Sequence, residues 1–454
     1  MVLYTFCCAN KFAYVKKNSY LCSRITRECA YVSMHVYFLL IRIAALFGHR
    51  KARLLVRGQA STLKSRLKEK GVADALRGAV WIHAASVGEF EQARPLIERL
   101  RNEQPKRKIV LTFFSPSGYE LRKGYDNVDA VFYLPFATRR KAQRFIDTIQ
   151  PSMAIFVKYE FWPAYLHALK KRSIPTYSIS AIFRPGQLFF LPWGKGHLNL
   201  LKCFTHIYVQ DEASRQLLMR FGINHCSVAG DTRFDRVAQV QRNHAQGTKN
   251  LTPIAAFAEN STNVIVAGST WPKDEEMLAH ALRRMKTNMD IPDAKLVLVP
   301  HETDEEHMHF IFNLFQGRML RYSVLAKGEW NDAKAFAAHN ASVLVIDTVG
   351  LLSTIYQFGQ TAYIGGGFGV GIHNTIEAAV YGIPVLFGPN YHHFREAQGL
   401  IDAGAAWSVG EYKELYTGLI NALGDHEQMG HRAAQYVETE TGATAKIYND
   451  LFTI

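Results

Sequence analysis

Cysteine is scarce in this chain: six among 454 residues. Cys7, Cys8, Cys22 and Cys29 fall before Met34, and the other two are Cys203 and Cys226. No pair is spaced as C-x-x-C, so neither a zinc site nor a disulfide framework is indicated, and a reducing cytoplasm is the simplest setting. Long apolar runs are missing too. The run Val36-Tyr-Phe-Leu-Leu-Ile-Arg-Ile-Ala-Ala-Leu-Phe47 covers 12 residues, against about 20 for a membrane-spanning helix. Acids are nearly absent from the first 70 positions, where Glu28 and Glu69 face 14 lysines and arginines. That segment holds +12 of the net charge of +14, so the remainder is near neutral and a uniformly basic nucleic-acid binder is excluded.

Three ligand motifs are also lacking. The dinucleotide pattern G-x-G-x-x-G fails at Val370 when counted from Gly365 and Gly367. A P-loop fails because Gly366 and Gly371 are followed by Ile372 and His373. The zinc signature H-E-x-x-H fails at Glu305 in the stretch that begins with His301. No catalytic metal is expected.

What is present begins with the N-terminal run and its flank, His49 to Arg57, which reads HRKARLLVR. A short apolar helix bordered by cations suits the surface of an anionic leaflet, and the alternative is a helix packed on the body. Beyond residue 79, apolar runs of strand length alternate with helical patterns, the rhythm of parallel sheets covered on both faces. Strands are expected at Val80–Ala84, Ile109–Phe113, Ala130–Tyr133, Met153–Val157, Thr176–Ser180, His206–Val209 and Ser227–Ala229. A polar stretch follows, and the rhythm restarts at Val264–Ala267, Lys295–Val299, Ser342–Ile346, Ala362–Ile364 and Pro384–Phe387. The division this predicts is a possible non-native or dispensable extension over 1–33, a membrane-associating segment over 34–58, and an N-terminal domain over 59–240. A linker over 241–262, a C-terminal domain over 263–425 and a helical tail over 426–454 complete it.

Polar residues collect where strands end. Ser86-Val-Gly-Glu89 fits a capping box, and a carboxylate at a strand-to-helix turn also fits a general base. Glu160 follows Met153–Val157, and Arg233 follows Ser227–Ala229. The segment Tyr363 to Ala397 runs from a strand through Gly365, Gly366, Gly367, Gly369 and Gly371 into a helix bearing Asn374 and Glu377. Those glycines allow close approach of a ligand, or serve only as a packing turn; a helix N-terminus favours phosphate.

Taken in order, several strings resemble the bacterial 3-deoxy-D-manno-oct-2-ulosonic acid (Kdo) transferases. They are S-V-G-E at 86–89, Y-E-F-W-P at 159–163, G-D-T-R-F-D at 230–235, A-G-S-T at 267–270, V-P-H at 299–301, D-T-V-G at 347–350 and H-N-T-I-E-A-A at 373–379. The resemblance implies an α/β chain of GT-B fold, two Rossmann-like doubly wound domains with a cleft between them. It implies transfer of Kdo from CMP-Kdo to a lipid A precursor at the cytoplasmic face of the inner membrane, without metal or other cofactor and without nucleic acid. Glu89 would be the general base, with Glu160 and Arg233 stabilising the transition state. Ser269, Thr270, Pro300, His301, Val349, Gly350, Leu351, Asn374, Thr375, Ile376 and Glu377 would line the CMP site. The chain departs from the family at Lys158, where an acid is usual, at Leu351 in a string usually M-G-E-L, at Arg233, usually Lys, and at His301, usually a more basic residue. Another GT-B enzyme acting on a UDP-sugar, or a membrane-bound nucleotide-sugar sensor, is the alternative. The helix-terminal field would keep Glu89 ionised and weakly basic.

Overall fold

A computed structural model describes residues 36–69, 71–192, 194–243, 250–259 and 261–453. The reading of residues 1–33 as an extension lies outside them. The chain divides into two compact units: one runs to Arg236 and takes in Gly442–Ile454, the other is Val237–Thr441.

The first unit is built on seven parallel strands: β1 (Val80–Ala84), β2 (Ile109–Phe113), β3 (Ala130–Tyr133), β4 (Met153–Val157), β5 (Thr176–Ala181), β6 (His206–Val209) and β7 (Cys226–Val228). Their order is β3-β2-β1-β4-β5-β6-β7. Helices cover both faces, so β1 and β2 are buried at every position and read as largely apolar runs, broken only by His83 and Thr112. Trp81 fills one face, with the edges of Phe145, Phe156 and Tyr165 against it and its indole N–H on Thr112 Oγ1 at 2.9 Å. On the other face, Phe90, Leu96, Ile97 and Leu100 of the helix Val87–Glu103 meet Ile447 and Tyr448 of the helix Ala443–Phe452. Asp235 anchors that last helix by accepting from the Gly442 and Thr444 N–H groups and the Thr444 hydroxyl, each at 2.7 Å. The terminal segment is therefore not one tail. The helix His426–Glu440 packs in the second unit, and the helix Ala443–Phe452 closes the first.

The second unit repeats the plan with β8 (Val264–Thr270), β9 (Lys295–Pro300), β10 (Leu320–Arg321), β11 (Val343–Val345), β12 (Thr361–Ile364), β13 (Val385–Phe387) and β14 (Ala406–Ser408). All are parallel, in the order β10-β11-β9-β8-β12-β13-β14. The stretch expected as a linker contains the helix Thr252–Ala258, which buries Ile254 and Phe257; residues 244–249 lie outside the described residues. Its apolar residues lie on one side of a helix too short to reveal a period, and its last carbonyls are met by the Lys295 ammonium, 2.7 Å from Phe257 O.

Each sheet is doubly wound, and the winding reverses between β1 and β4 in one unit and between β8 and β12 in the other. Ligands of such folds bind at the carboxyl ends of the strands beside that reversal.

Candidate active site

In the first unit the reversal brings Glu89 and Glu160 together. Glu89 is in the first turn of the helix that follows β1, and Glu160 is in the loop that follows β4. The Ser86 side chain caps the helix, accepting from Glu89 N–H at 3.5 Å, while the Glu89 carboxylate reaches back to Ala85 N–H at 2.5 Å. The capping geometry is therefore present, but with a long bond from the serine and a short one to the carboxylate. The expectation of a weak, ionised Glu89 is not met. Burial, and then the neighbouring charge of Glu160, push its carboxyl up to about 7; the bonds from Ala85 and Ser86 N–H and the charge of Lys158 offset only part of this. Burial, joined by a second carboxylate brought in after β4, outweighs the helix terminus.

Lys158, where the transferases that the motifs resemble often carry an acid, takes the left-handed backbone at φ 61° immediately after β4. That conformation is strained for a residue with a long side chain. It places a cation near the Glu89 carboxylate.

Glu160 is held by neighbours whose part the motifs did not disclose. Its Oε2 accepts from Trp162 Nε1–H at 2.6 Å and lies 3.1 Å from His83 Nε2. His83 stands within β1 with its side chain fully buried, and its Nδ1 lies 3.0 Å from the Thr112 carbonyl and 2.9 Å from the Thr112 hydroxyl. A histidine in an otherwise apolar strand was the available signal. Tyr37 also faces this group: its ring stacks near Phe114, and its phenol is pushed up by burial and by the Glu160 charge.

Arg233 does not reach out alone. Its guanidinium clasps the buried Asp231, with Nε 2.8 Å from Oδ2, and its own N–H donates to Oδ1 at 2.9 Å. The Arg233 guanidinium in turn holds the Asp231 carboxyl below its usual range against the effect of burial. Gln92 Nε2 donates to Asp231 Oδ1 at 3.0 Å, and Thr232 Oγ1 donates to the Gln92 carbonyl at 2.6 Å. Gln92 lies on the helix that carries Glu89, so the Arg233 loop is fastened to that helix.

In the second unit the ends of β8, β9 and β12 converge. Thr270 O accepts from His301 N–H at 2.9 Å, and Gly365 O accepts from His373 N–H at 3.2 Å. The His301 ring lies flat on Trp271, 4.6 Å between centroids, and its centroid is 4.8 Å from that of His373. The glycines have two jobs. A Cβ on Gly365 would sit 2.3 Å from Ser269 O, and one on Gly367 2.5 Å from Gly388 Cα, so these two permit backbone packing rather than ligand approach. Gly366 and Gly371 take positive φ and turn the loop. Asp274 fastens it, accepting from Tyr363 OH at 2.7 Å and from the Gly366 and Trp271 N–H groups at 2.9 Å each.

The residues expected at a nucleotide divide by exposure. His301, Val349 and Gly350 are exposed; Ser269, at φ 55°, Asn374 and Glu377 are partly so. Thr270, Pro300, Leu351, Thr375 and Ile376 are buried, and Thr270 donates inward to Glu275 Oε1 at 2.9 Å. Asn374 and Glu377, three positions apart, are joined at 2.9 Å through Asn374 Nδ2. The helix there is only Ile376–Ala379, too short for a helix dipole to dominate. The better indication of a ligand is unmet polarity. His373 Nε2, Asn374 Oδ1, Thr375 Oγ1 and Thr348 Oγ1 are buried without a hydrogen-bond partner among the described residues. Unpaired buried polar atoms are rare in folded proteins. Among the described residues no cluster is arranged to hold a metal ion.

Three comparisons bear on this geometry. A family model described as 3-deoxy-D-manno-octulosonic-acid transferase (kdotransferase) matches residues 56–236. Relatives named 3-deoxy-D-manno-octulosonic acid transferase include one from Aquifex aeolicus, 27% identical over 76% of this chain and 86% of that protein. Another is from Haemophilus influenzae, 24% identical over 81% of this chain and 85% of that protein. A crystal structure of UDP-GlcNAc 2-epimerase from Neisseria meningitidis covers 83% of this chain and 100% of its own, with a TM-score of 0.59 at 16% identity. That likeness concerns the fold alone.

Proposed function

We infer that this chain is a member of the 3-deoxy-D-manno-octulosonic acid transferases and that it transfers Kdo from CMP-Kdo to a lipid A precursor in lipopolysaccharide core biosynthesis. The observation that carries the mechanism is the Glu89 carboxyl, raised to about 7 at the winding reversal of the first unit. A general base works best when its pKa lies near the working pH. Glu89 would take the proton of the attacking acceptor hydroxyl as the new glycosidic bond forms and CMP departs. Glu160, fixed by Trp162 and His83, and Arg233, fixed by Asp231, would stabilise charge in the transition state.

The donor would be held by the second unit. Asn374, Glu377 and the unpaired atoms beside them suit ribose and phosphate oxygens, and the exposed His301, Val349 and Gly350 supply its outer contacts. Pro300, Leu351, Thr270, Thr375, Ile376 and Ser269 would shape that pocket from beneath or through their backbone. We take the reaction to need no metal or cofactor and no nucleic acid.

The N-terminal segment would rest on the anionic inner-membrane surface at the cytoplasmic face. Among the described residues no helix is long and apolar enough to cross a membrane. Residues 36–46 are helical, and their inner side is fixed by Phe38, 4.6 Å from Phe136. Leu39, Leu40, Leu46 and Phe47 stay exposed, with Phe47 at 88%. The helix Arg50–Lys64 that follows buries Ala52, Leu55 and Leu63, so the segment is part of the body as well as a candidate membrane face. Apolar side chains beside Arg50, Lys51 and Arg53 suit an interfacial lipid contact.

Incubation with CMP-Kdo and a lipid A precursor, read by mass spectrometry, tests the reading. Kdo addition with release of CMP is expected. Turnover of UDP-GlcNAc in its place would overturn it, and donor binding without turnover would leave a sensor.

A further inference from the structure

The helix at residues 36–46 lies across the carboxyl ends of strands, the edge at which doubly wound sheets bind ligands. Its Tyr37 ring stacks 6.4 Å from Phe114, the residue after β2. Its Phe38 ring stands 4.6 Å from Phe136 in the loop after β3, and 6.4 Å from Trp162 in the loop after β4. Trp162 is the residue that donates to Glu160.

One turn beyond Phe38, on the same side of the helix, is Arg42. Its guanidinium carbon is 5.2 Å from the centre of the buried Phe136 ring, and Lys141 Nζ is 5.1 Å from that same centre. The two charges are therefore at most about 10 Å apart. Arg139 and Arg140 precede Lys141, and no acid stands in that turn. Arg42 is exposed and pairs with no carboxylate among the described residues. Cations held this close repel one another, and an anion bound between them relieves the repulsion. The Phe136 ring attracts both cations and leaves their N–H groups for the oxygens of a ligand.

We propose that Arg42, with Lys141 on the same Phe136 ring, binds a phosphate group of the acceptor, so that the N-terminal helix is one wall of the acceptor site. The assignment rests on the reading of the acceptor as a lipid A precursor, a phosphorylated and acylated sugar. Arginine suits the task because its planar fork matches phosphate oxygens. Anionic lipid headgroups offer the same chemistry, but the side of the helix decides between them. The exposed Leu39, Ile43 and Leu46 follow one another along a different side, whereas Arg42 shares the side of Phe38 that meets the body. No bond is made or broken at this site. It selects the acceptor, and Glu89, Glu160 and Arg233 keep the chemistry.

The test compares two acceptors in neutral detergent micelles: a lipid A precursor with its phosphates, and the same molecule after their removal. Calorimetry gives the affinity of the parent and of Arg42→Gln for each. Arg42→Gln should weaken binding of the phosphorylated acceptor by about tenfold or more, the scale of one charge-assisted hydrogen bond. It should leave the dephosphorylated acceptor, CMP affinity and the melting temperature as in the parent. Arg42→Lys should recover part of the loss, because a point charge remains. Lys141→Gln should repeat the pattern, and it decides alone if Arg42→Gln does not fold. Equal losses on both acceptors, or a loss on neither, would overturn the proposal. Sedimentation with vesicles of phosphatidylglycerol and phosphatidylcholine tests the other source of phosphate. An Arg42→Gln protein that leaves those vesicles yet binds the phosphorylated acceptor like the parent would make Arg42 a headgroup contact, and the proposal would fall. A parent that transfers Kdo to neither acceptor would instead overturn the reading of the reaction, and the two failures are thus separable.

Discussion

Replacing Glu89 by Gln separates the capping role of this residue from its chemical one, and pH resolves them. Glutamine keeps an oxygen for the Ala85 N–H, so the bond at 2.5 Å survives in kind. It cannot accept the acceptor's proton, and turnover should fall by roughly a hundredfold or more. Stability should move the other way. The folded carboxyl titrates at about 7, from an ordinary 4.5. Below pH 4.5 both folded and unfolded parent hold the proton, and the substitution changes little. From 4.5 to 7 the unfolded carboxyl ionises before the folded one, so the native state binds more protons and the parent loses stability as pH rises. Above pH 7 the loss is complete.

At 1.36 kcal/mol per pH unit the full difference is about 3 kcal/mol, and solvent reaching this partly exposed group lowers it to about 1–3 kcal/mol. Urea unfolding of parent and Glu89→Gln at pH 4.5, 6 and 7.5 measures it. The variant should match the parent at the first pH and exceed it at the last. A difference that does not change with pH would refute the electrostatic reasoning. Near-parental Kdo transfer by the variant would reduce Glu89 to a cap.

Ser86→Ala should leave turnover largely intact and lower stability by about 0.5 kcal/mol, the low end for a cap, because its bond to Glu89 N–H is 3.5 Å long; thermal melting and a rate assay check both halves. Asp274→Ala strands the Tyr363 hydroxyl and two backbone N–H groups, and should lose about 3 kcal/mol together with most affinity for CMP by calorimetry. An undisturbed CMP affinity would show that the glycine loop does not serve the donor. Leu46→Glu with Phe47→Glu, both exposed, should release the protein from anionic vesicles in a sedimentation assay without altering CMP binding. Kdo transfer should persist after exhaustive chelation with EDTA; loss restored by a divalent ion would reveal a metal requirement.

The strand runs that could be read from sequence are those buried on both faces. β1, β2 and β4 are almost wholly apolar strings because helices lie above and below them. β10 has two residues and β14 three with an exposed Trp407 between its ends, and so neither carries such a string. Both are edge strands, recognisable only from the neighbour each pairs with. The short helix at Thr252–Ala258 escaped for a related reason, since seven residues do not establish a period. The site residues were legible by type and by place after a strand, but their surroundings were not. Five residues expected at the nucleotide, Thr270, Pro300, Leu351, Thr375 and Ile376, are inside the unit. Motif spacing says which residues travel together and nothing about which way each side chain turns.

The charge on Glu89 shows where local reading stops. A helix terminus acts on residues within one turn and is visible from the neighbouring letters. The opposing effects are burial and the Glu160 carboxylate, and the second follows β4, which only the winding of the sheet sets beside β1. Lys158 partly offsets them from that same loop, held at φ 61°. Where the family's usual acid would add a further negative charge, this lysine subtracts one. Lys158→Glu should therefore raise the acid limb of the kcat/KM profile above that of the parent, because it replaces a cation that lowers the Glu89 carboxyl by an anion that raises it. A limb that stays in place after Lys158→Glu, in a protein that still folds and binds CMP, would mean that the lysine's charge is spent elsewhere and that burial and Glu160 alone set the base.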